Sequence, residues 1–219
     1  KLKRQGVLDM VVVMGYSDTI DDGYDIVTDG FTLNSVVYYI TAPCQYESQG
    51  LCEFEETSLS SKGLRRFERD LRGPQGESLR VRILVANSSV DLSNEENQTK
   101  YREQQKEKSD SAQRLFGWGL KEADVVFYEG HSRDGGGPDF YPPRAAGNGK
   151  VNYPWYHTHK PGIRFLEQAL SESKIHPQFL GLFSCASDIH FKKALGEKAP
   201  RTTTILSRKV IAAELTKEA

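Results

Sequence analysis

The sequence lacks any long apolar run. Its longest apolar stretches, such as 10–14 and 125–128, have the length of a β-strand, whereas a membrane-spanning helix needs about 18 or more consecutive apolar residues. We therefore expect no membrane partner. The chain starts at Lys1 without an apolar signal segment, so we expect any targeting segment to have been removed, and the sequence leaves the localisation open.

An excess of charge of one sign is also missing. The 29 basic and 30 acidic side chains give a formal net charge of −1. Without a global field to attract polyanions, we expect no nucleic-acid partner. A chain of 219 residues with 37% hydrophobic content is long enough and apolar enough to fold as one domain, which we take to span residues 1–219.

Cysteine is scarce, with three in the chain. Cys44 and Cys52 flank a short polar segment, which is consistent either with a small disulfide loop or with two free thiols, and the spacing does not decide between them. A disulfide would favour a secreted or periplasmic protein over a cytoplasmic one. Cys185 is then left over and needs its own explanation.

Short apolar segments alternate with helical patterns along the chain. Strands are predicted at 9–15, 35–41, 79–86, 123–128, 179–184 and 202–207, and helices at 61–71, 161–170 and 210–215. The polar segment 94–114 is predicted to be an exposed helix or an insertion, and 132–156 a long loop without regular structure. This alternation is typical of an α/β fold with a mainly parallel sheet.

Two of the predicted strands end next to a reactive side chain. His131 follows the strand at 123–128, and Cys185 follows the strand at 179–184. The helix at 161–170 has the length of a crossover that makes these strands parallel neighbours, so a thiol and a base would meet at one edge of the sheet. The alternatives are a buried structural cysteine and a loop histidine held by a structural hydrogen bond.

A strand followed by His next to Gly, and then a strand followed by Cys between small residues, resembles the caspase, legumain, gingipain and metacaspase group of cysteine peptidases. The resemblance rests on 127–132 and 180–187. It implies a caspase-like three-layer α/β/α sandwich with a mostly parallel sheet of about six strands. It also implies a His131–Cys185 dyad that cleaves peptide bonds through a thioester, without a cofactor. The backbone amides of Cys185 and Ser132 would be the oxyanion donors, although in the group a glycine follows the histidine, whereas here Gly130 precedes it.

An acidic loop follows the first predicted strand. In the group that the chain resembles, this loop often contributes to the pocket for the residue before the scissile bond. Asp18, Asp21 and Asp22 offer carboxylates there, so we expect a preference for cleavage after Arg or Lys; the alternative is a solvated loop. The same loop partly matches a calcium-binding pattern, but Ile20 occupies a ligand position, so the calcium match is weak.

If the enzyme cleaves after basic residues, the long loop would also contain sites of self-processing, as in a zymogen. Arg133, Arg144, Lys150 and Lys160 lie in or beside this accessible Gly- and Pro-rich segment. The expected partner is a protein or peptide substrate, and the sequence does not predict an oligomeric state.

Two other functions remain open. A metal-dependent hydrolase would use the polar side chains of one loop region, namely His131, Asp134, His157 and His159, although their spacing is not that of a common zinc motif, so we expect no metal. A non-catalytic module of the same fold would recognise peptides or glycans with loop aromatics, namely Tyr141, Tyr153, Trp155 and Tyr156.

Two glycosylation sequons are present, at 87–89 and 97–99. They are relevant to the protein only if it passes through a glycosylating compartment, which the sequence does not establish.

Overall fold

A computed structural model of the chain describes six stretches of it. These are residues 2–17, 29–45, 51–57, 63–73, 75–147 and 150–209. The predicted helix at 210–215 lies outside them.

The described elements alternate between strands and helices. The strands are β1 (Val7–Met14), β2 (Glu55–Glu56), β3 (Leu64–Arg72), β4 (Ser78–Asn87), β5 (Val125–Glu129), β6 (Phe179–Phe183) and β7 (Thr203–Leu206). The helices are α1 (Asp29–Thr41), α2 (Asn94–Gln98), α3 (Arg102–Glu122), α4 (Tyr153–His159), α5 (Pro161–Glu172) and α6 (Ser187–Lys198), with one 3-10 turn at Arg133–Gly135.

One sheet joins all seven described strands in the order β2-β3-β4-β1-β5-β6-β7. The pairs β4-β1, β1-β5, β5-β6 and β6-β7 are parallel, whereas β2-β3 and β3-β4 are antiparallel. The α/β class is confirmed, but the expectation of a mostly parallel sheet of about six strands is wrong, because the sheet is mixed and has a seventh strand. The difference arises beyond β4, where β3 and β2 extend the sheet with antiparallel pairing that the sequence pattern does not predict.

Two apolar clusters cover the two faces of this sheet. Val11 and Val13 of β1 belong to the cluster beneath α3, α5 and α6, whereas Met10 and Met14 belong to the cluster beneath α1. Because successive strand side chains point to opposite faces, a continuously apolar strand such as β1 is buried on both sides. The arrangement is consistent with three layers, α/β/α.

The predicted strand at 35–41 is in fact the second half of α1. The side chains of Leu33, Val36, Val37 and Ile40 pack into the cluster on that face of the sheet. Their spacing of three and four residues is that of one helix face. The β-branched and aromatic content of the segment led to the wrong assignment, because packing on the sheet overrides the weak helix propensity of these residues.

The predicted helix at 61–71 is also wrong, since its described part forms β3. Leu64 packs against the cluster on one face of the sheet, and Phe67 and Leu71 belong to the cluster on the other, so apolar residues on both faces of one strand imitate a helical spacing. The pairing with β4 runs over nine residue pairs and includes Asp70 opposite Arg80, whose side chains are 2.8 Å apart. Such cross-strand pairing cannot be seen from one segment alone.

The polar segment 94–114 is helical, as one of the two alternatives predicted, but it is not simply exposed. Gln105 is buried, and its amide donates to the Ser88 carbonyl at 2.7 Å and to the Ser109 hydroxyl at 2.8 Å. Its own oxygen accepts from the Val90 amide at 2.9 Å. In the first half of α3, buried polar side chains with hydrogen-bond partners therefore take the place of an apolar stripe.

The open question about Cys44 and Cys52 is answered by a disulfide that joins them, with their Cα atoms 5.2 Å apart. Arg69 of β3 lies against it and donates to both sulfur atoms, at 3.3 and 3.2 Å. The disulfide therefore fastens the chain after α1 to the antiparallel edge of the sheet. None of the described helices has the length and apolar character required to cross a bilayer.

Both sequon asparagines are buried. Asn87 is 4% exposed and Asn97 is 1% exposed. Their amide groups donate to the Ser89 carbonyl at 3.0 Å and to the Tyr16 hydroxyl at 3.0 Å, respectively. The folded chain offers neither side chain to a glycosylating enzyme.

Removal of the disulfide should destabilise the protein. The double substitution of Cys44→Ala and Cys52→Ala opens a small loop and should lower the free energy of unfolding by about 2–3 kcal/mol, as measured by urea denaturation. The Cys185→Ala variant serves as the control, because its disulfide is intact. An unchanged urea midpoint for the double variant would contradict this assignment.

Candidate functional site

The parallel pairing of β5 with β6 brings His131 and Cys185 to the same edge of the sheet. The last pair of the register is Glu129 opposite Phe183, and His131 and Cys185 each follow this pair by two residues. The Gly130 amide extends the pairing by donating to the Phe183 carbonyl at 3.1 Å. The predicted adjacency of the two strands is confirmed.

The imidazole of His131 is placed unusually. Its Nε2 atom is fully buried and has no hydrogen-bond partner among the described residues. Burial, reinforced by the nearby guanidinium of Arg133, lowers the pKa of His131 to about 3. The ring is therefore neutral at physiological pH, and its lowered pKa makes it a weaker base than an exposed imidazole.

Cys185 occupies a tight turn between β6 and α6. It is partly exposed, and Ala186 after it adopts a left-handed conformation with φ of 49°. The Ala186 amide donates to the Lys209 carbonyl at 2.9 Å, and the Asp188 amide to the Ser207 carbonyl at 3.0 Å. The segment after β7 therefore lies beside the turn that contains Cys185.

Two cationic residues lie in this segment after β7. Arg208 is exposed and lies 3.8 Å from the Asp188 carboxylate. Lys209 is exposed as well. No pattern in the sequence indicates this neighbourhood, because it depends on β7 pairing with β6.

Ser132 lies at the start of the loop behind His131. It is buried, and its carbonyl accepts from the amides of Gly135 at 3.0 Å and Gly137 at 2.8 Å. Its own amide donates to no backbone carbonyl of the described residues. An oxyanion donor needs an amide without such a backbone acceptor.

Tyr128 of β5 ties this loop to the sheet, and no motif in the sequence points to it. Its buried hydroxyl accepts from the Asp139 amide at 2.9 Å and lies 3.1 Å from the His131 carbonyl, to which it donates. The Tyr16 amide at the end of β1 donates to the Asp139 carbonyl at 3.0 Å. A methyl group at Gly15 or Gly130 would overlap the Tyr128 hydroxyl, which explains glycine at both positions.

A buried ion pair holds the same loop from inside. The Arg133 Nε donates to the Asp139 carboxylate at 2.8 Å, and both side chains are less than 10% exposed. Arg133 and Asp134 have φ values of 46° and 51°, which cost energy for residues other than glycine. We attribute the persistence of this backbone conformation to the ion pair and to Tyr128.

The predicted specificity residues Asp18, Asp21 and Asp22 lie outside the described residues, as does most of the proposed calcium loop. Asp29, the last position of that pattern, is described and serves a different purpose. Its buried carboxylate accepts from the amides of Ser88 at 2.8 Å and Ser89 at 2.6 Å. It anchors the start of α1 to the end of β4.

The residues suggested for a metal site are used in other contacts. The imidazole of His159 stacks on Trp155 with ring centroids 4.6 Å apart. His157 lies 3.6 Å from the Asp134 carboxylate, and both side chains are exposed. The described part of the chain contains no group of three or more His, Cys, Asp or Glu side chains arranged to hold a metal ion.

The segment 132–156 is more ordered than predicted, since it contains the 3-10 turn and the first residues of α4. Of its aromatics, Tyr156 is buried, Tyr141 and Trp155 are half-buried, and Tyr153 is exposed. The described residues between the 3-10 turn and α4 belong to no helix or strand, as expected of a loop, but the aromatics pack the segment onto the domain. Helix α4 begins where Asn152 accepts from the Trp155 amide at 3.0 Å, a helix cap within a Pro- and Gly-rich sequence.

Comparisons with protein-family models and with curated proteins find no match for the chain. The geometry of the site is therefore the basis on which its function is inferred.

The buried neutral His131 should make stability depend on pH. Its pKa in the folded chain, about 3, lies below its ordinary value of 6.5, so the unfolded chain binds the proton first as the pH falls. Between pH 7 and pH 5 the wild type should lose about 2 kcal/mol more unfolding free energy than His131→Gln, as measured by urea denaturation at each pH. Equal pH slopes for the two proteins would contradict the burial of a neutral imidazole.

Tyr128→Phe should also lower stability, because it leaves the buried Asp139 amide without an acceptor. We expect a loss of about 1–3 kcal/mol in the free energy of unfolding. Tyr153→Phe is the matched control, since this tyrosine is exposed, and it should change stability by less than about 0.5 kcal/mol. Similar losses for both variants would show that the Tyr128 hydroxyl has no special role.

Proposed function

We propose that the protein is a cysteine endopeptidase with a caspase-like fold, in which Cys185 is the nucleophile and His131 the general base and acid. The observation that supports this proposal is the parallel pairing of β5 with β6, since a partly exposed thiol and a neutral imidazole follow these two strands at the same edge of the sheet. A thiol beside a base is the arrangement that covalent acyl transfer requires.

In the proposed reaction, Cys185 Sγ attacks the scissile carbonyl carbon as its proton passes to His131. The resulting oxyanion accepts hydrogen bonds from the amides of Cys185 and Ser132. When the tetrahedral intermediate collapses, the C–N bond breaks, the amine takes the proton from His131, and a thioester remains on Cys185. Water then attacks the thioester with His131 as base and releases the acid and the thiol.

The loop behind His131 supports this role. The His131 carbonyl accepts from the Tyr128 hydroxyl, and Arg133 forms a buried ion pair with Asp139. These contacts fix the backbone that holds the base and the proposed oxyanion donor. A rigid support of this kind keeps reacting groups in position without reorganisation during the reaction.

Substrate preference is the less constrained part of the proposal. The acidic loop around Asp18, Asp21 and Asp22 would favour Arg or Lys before the scissile bond, and self-processing at Arg144 or Lys150 would follow from the same preference. Arg208 and Lys209, which lie in the segment that bonds to the turn of Cys185, would favour an acidic residue instead. The two preferences are distinguished in the experiment below.

The proposal is tested by covalent labelling. An arginyl and an aspartyl acyloxymethyl ketone are incubated with the protein, and adducts are mapped by mass spectrometry. We expect labelling confined to Cys185, lost in Cys185→Ala and slowed by about 100-fold or more in His131→Ala. The preferred reagent identifies the charge of the specificity pocket.

The control variant is His157→Ala, which removes an exposed histidine from the same loop region and should label at the wild-type rate. Labelling that is absent with both reagents, or that is equally fast without His131, would overturn the peptidase proposal. The non-catalytic binding module would then be the better account.

A further inference from the structure

The loop that carries His131 also lines a cavity, which is open to solvent on one side. Its volume is about 340 Å³, near the lower end of the range for ligand pockets. Its apolar walls are Pro138, Phe140, Tyr141, Pro142, Trp155 and Pro161. A space of this size and lining suits one large apolar side chain and its immediate neighbours.

Several polar groups that line the cavity are already engaged within the protein. The Tyr141 hydroxyl donates to the Asp110 carboxylate at 2.8 Å, and the Tyr156 hydroxyl accepts from the Arg144 amide at 3.1 Å. The Asp139 carboxylate is paired with Arg133. The cavity therefore offers a ligand apolar contact rather than the many hydrogen bonds that a sugar requires.

The ring of Trp155 is occupied as well. The guanidinium of Arg144 lies 4.8 Å from its centroid, and the ring of His159 stacks on it at 4.6 Å. Glycans are usually held on an open aromatic face, so these contacts argue against the glycan alternative. The contact with Trp155 also holds the Arg144 side chain in place.

Arg144 supplies the one charge that the cavity leaves unbalanced. Its side chain is exposed, and no carboxylate of the described residues lies within ion-pair distance of it. A fixed cation beside an apolar cavity is complementary to an apolar side chain that has a carboxylate next to it.

We propose that this cavity is a subsite for a peptide segment in which an aromatic residue is followed by an acidic residue. The aromatic side chain enters the cavity, and the carboxylate pairs with Arg144. The binding itself does not depend on catalysis. The further role of the segment, as part of a substrate that reaches Cys185, rests on the proposed function.

The fluorescence of Trp155 provides a direct test. The chain has two tryptophans, so Trp118→Phe leaves Trp155 as the only tryptophan, and Cys185→Ala prevents any reaction. This double variant is titrated with acetyl-Phe-Glu-Gly-amide, acetyl-Phe-Gln-Gly-amide and acetyl-Ala-Glu-Gly-amide. We expect a saturable change with the first peptide, about two- to five-fold weaker binding of the second, and at least about ten-fold weaker binding of the third.

The Arg144→Gln variant in the same background should bind the Phe-Glu peptide no more tightly than it binds the Phe-Gln peptide. Arg164→Gln is the matched control, because Arg164 is an exposed arginine of α5 outside the cavity lining, and it should bind as the parent does. No saturable change up to about 10 mM peptide, equal binding of all three peptides, or saturation by cellobiose instead would overturn the proposal. Because this titration measures binding in a variant that cannot react, a negative result would overturn the subsite without bearing on the labelling of Cys185.

Discussion

The in-register parallel pairing of β5 with β6 is the constraint on which the rest of the site depends. Parallel strands cannot be joined by a tight turn, so the chain must leave one edge of the sheet and return to the other through a crossover. The segment from His131 to α5 is this crossover, and it is long because it also builds the wall of the site. The residues that follow each strand, among them His131 and Cys185, are thereby brought to one edge of the sheet.

The groups that support this edge are polar and buried, and their removal from water costs free energy. A guanidinium, a carboxylate and a phenol hydroxyl are removed from water behind His131 and compensated by one another and by backbone groups. Such a network is unfavourable when incomplete and rigid when complete. The same buried charge of Arg133 that closes the loop also disfavours a proton on His131, so one feature serves both geometry and electrostatics.

The mixed sheet has two different ends. At the β4 end, the antiparallel strands β2 and β3 are fastened by cross-strand ion pairs and by the disulfide with its arginine. At the other end, β7 is a short edge strand, and the residues after it bond to the turn that holds Cys185. The disulfide and these cross-strand ion pairs thus lie on one side of the domain and the candidate chemistry on the other.

Much of the architecture was determined by the sequence itself. The apolar runs of β1, β4, β5 and β6, and the amphipathic pattern of α5, are local signals, and their order was enough to predict an α/β domain with His131 and Cys185 at two neighbouring strand exits. The local sequence did not determine that α1 is a helix or that β3 is a strand. The packing of Leu33 and Ile40 on the sheet decided the first, and the pairing of β3 with β4 decided the second. Tertiary structure alone also decided that Tyr128, Arg133 and Asp139 form one network, and that a cavity with a charged rim lies beside it. These features depend on buried hydrogen bonds and on packing between different helices, strands and loops. The periodicity of a single segment does not predict such contacts.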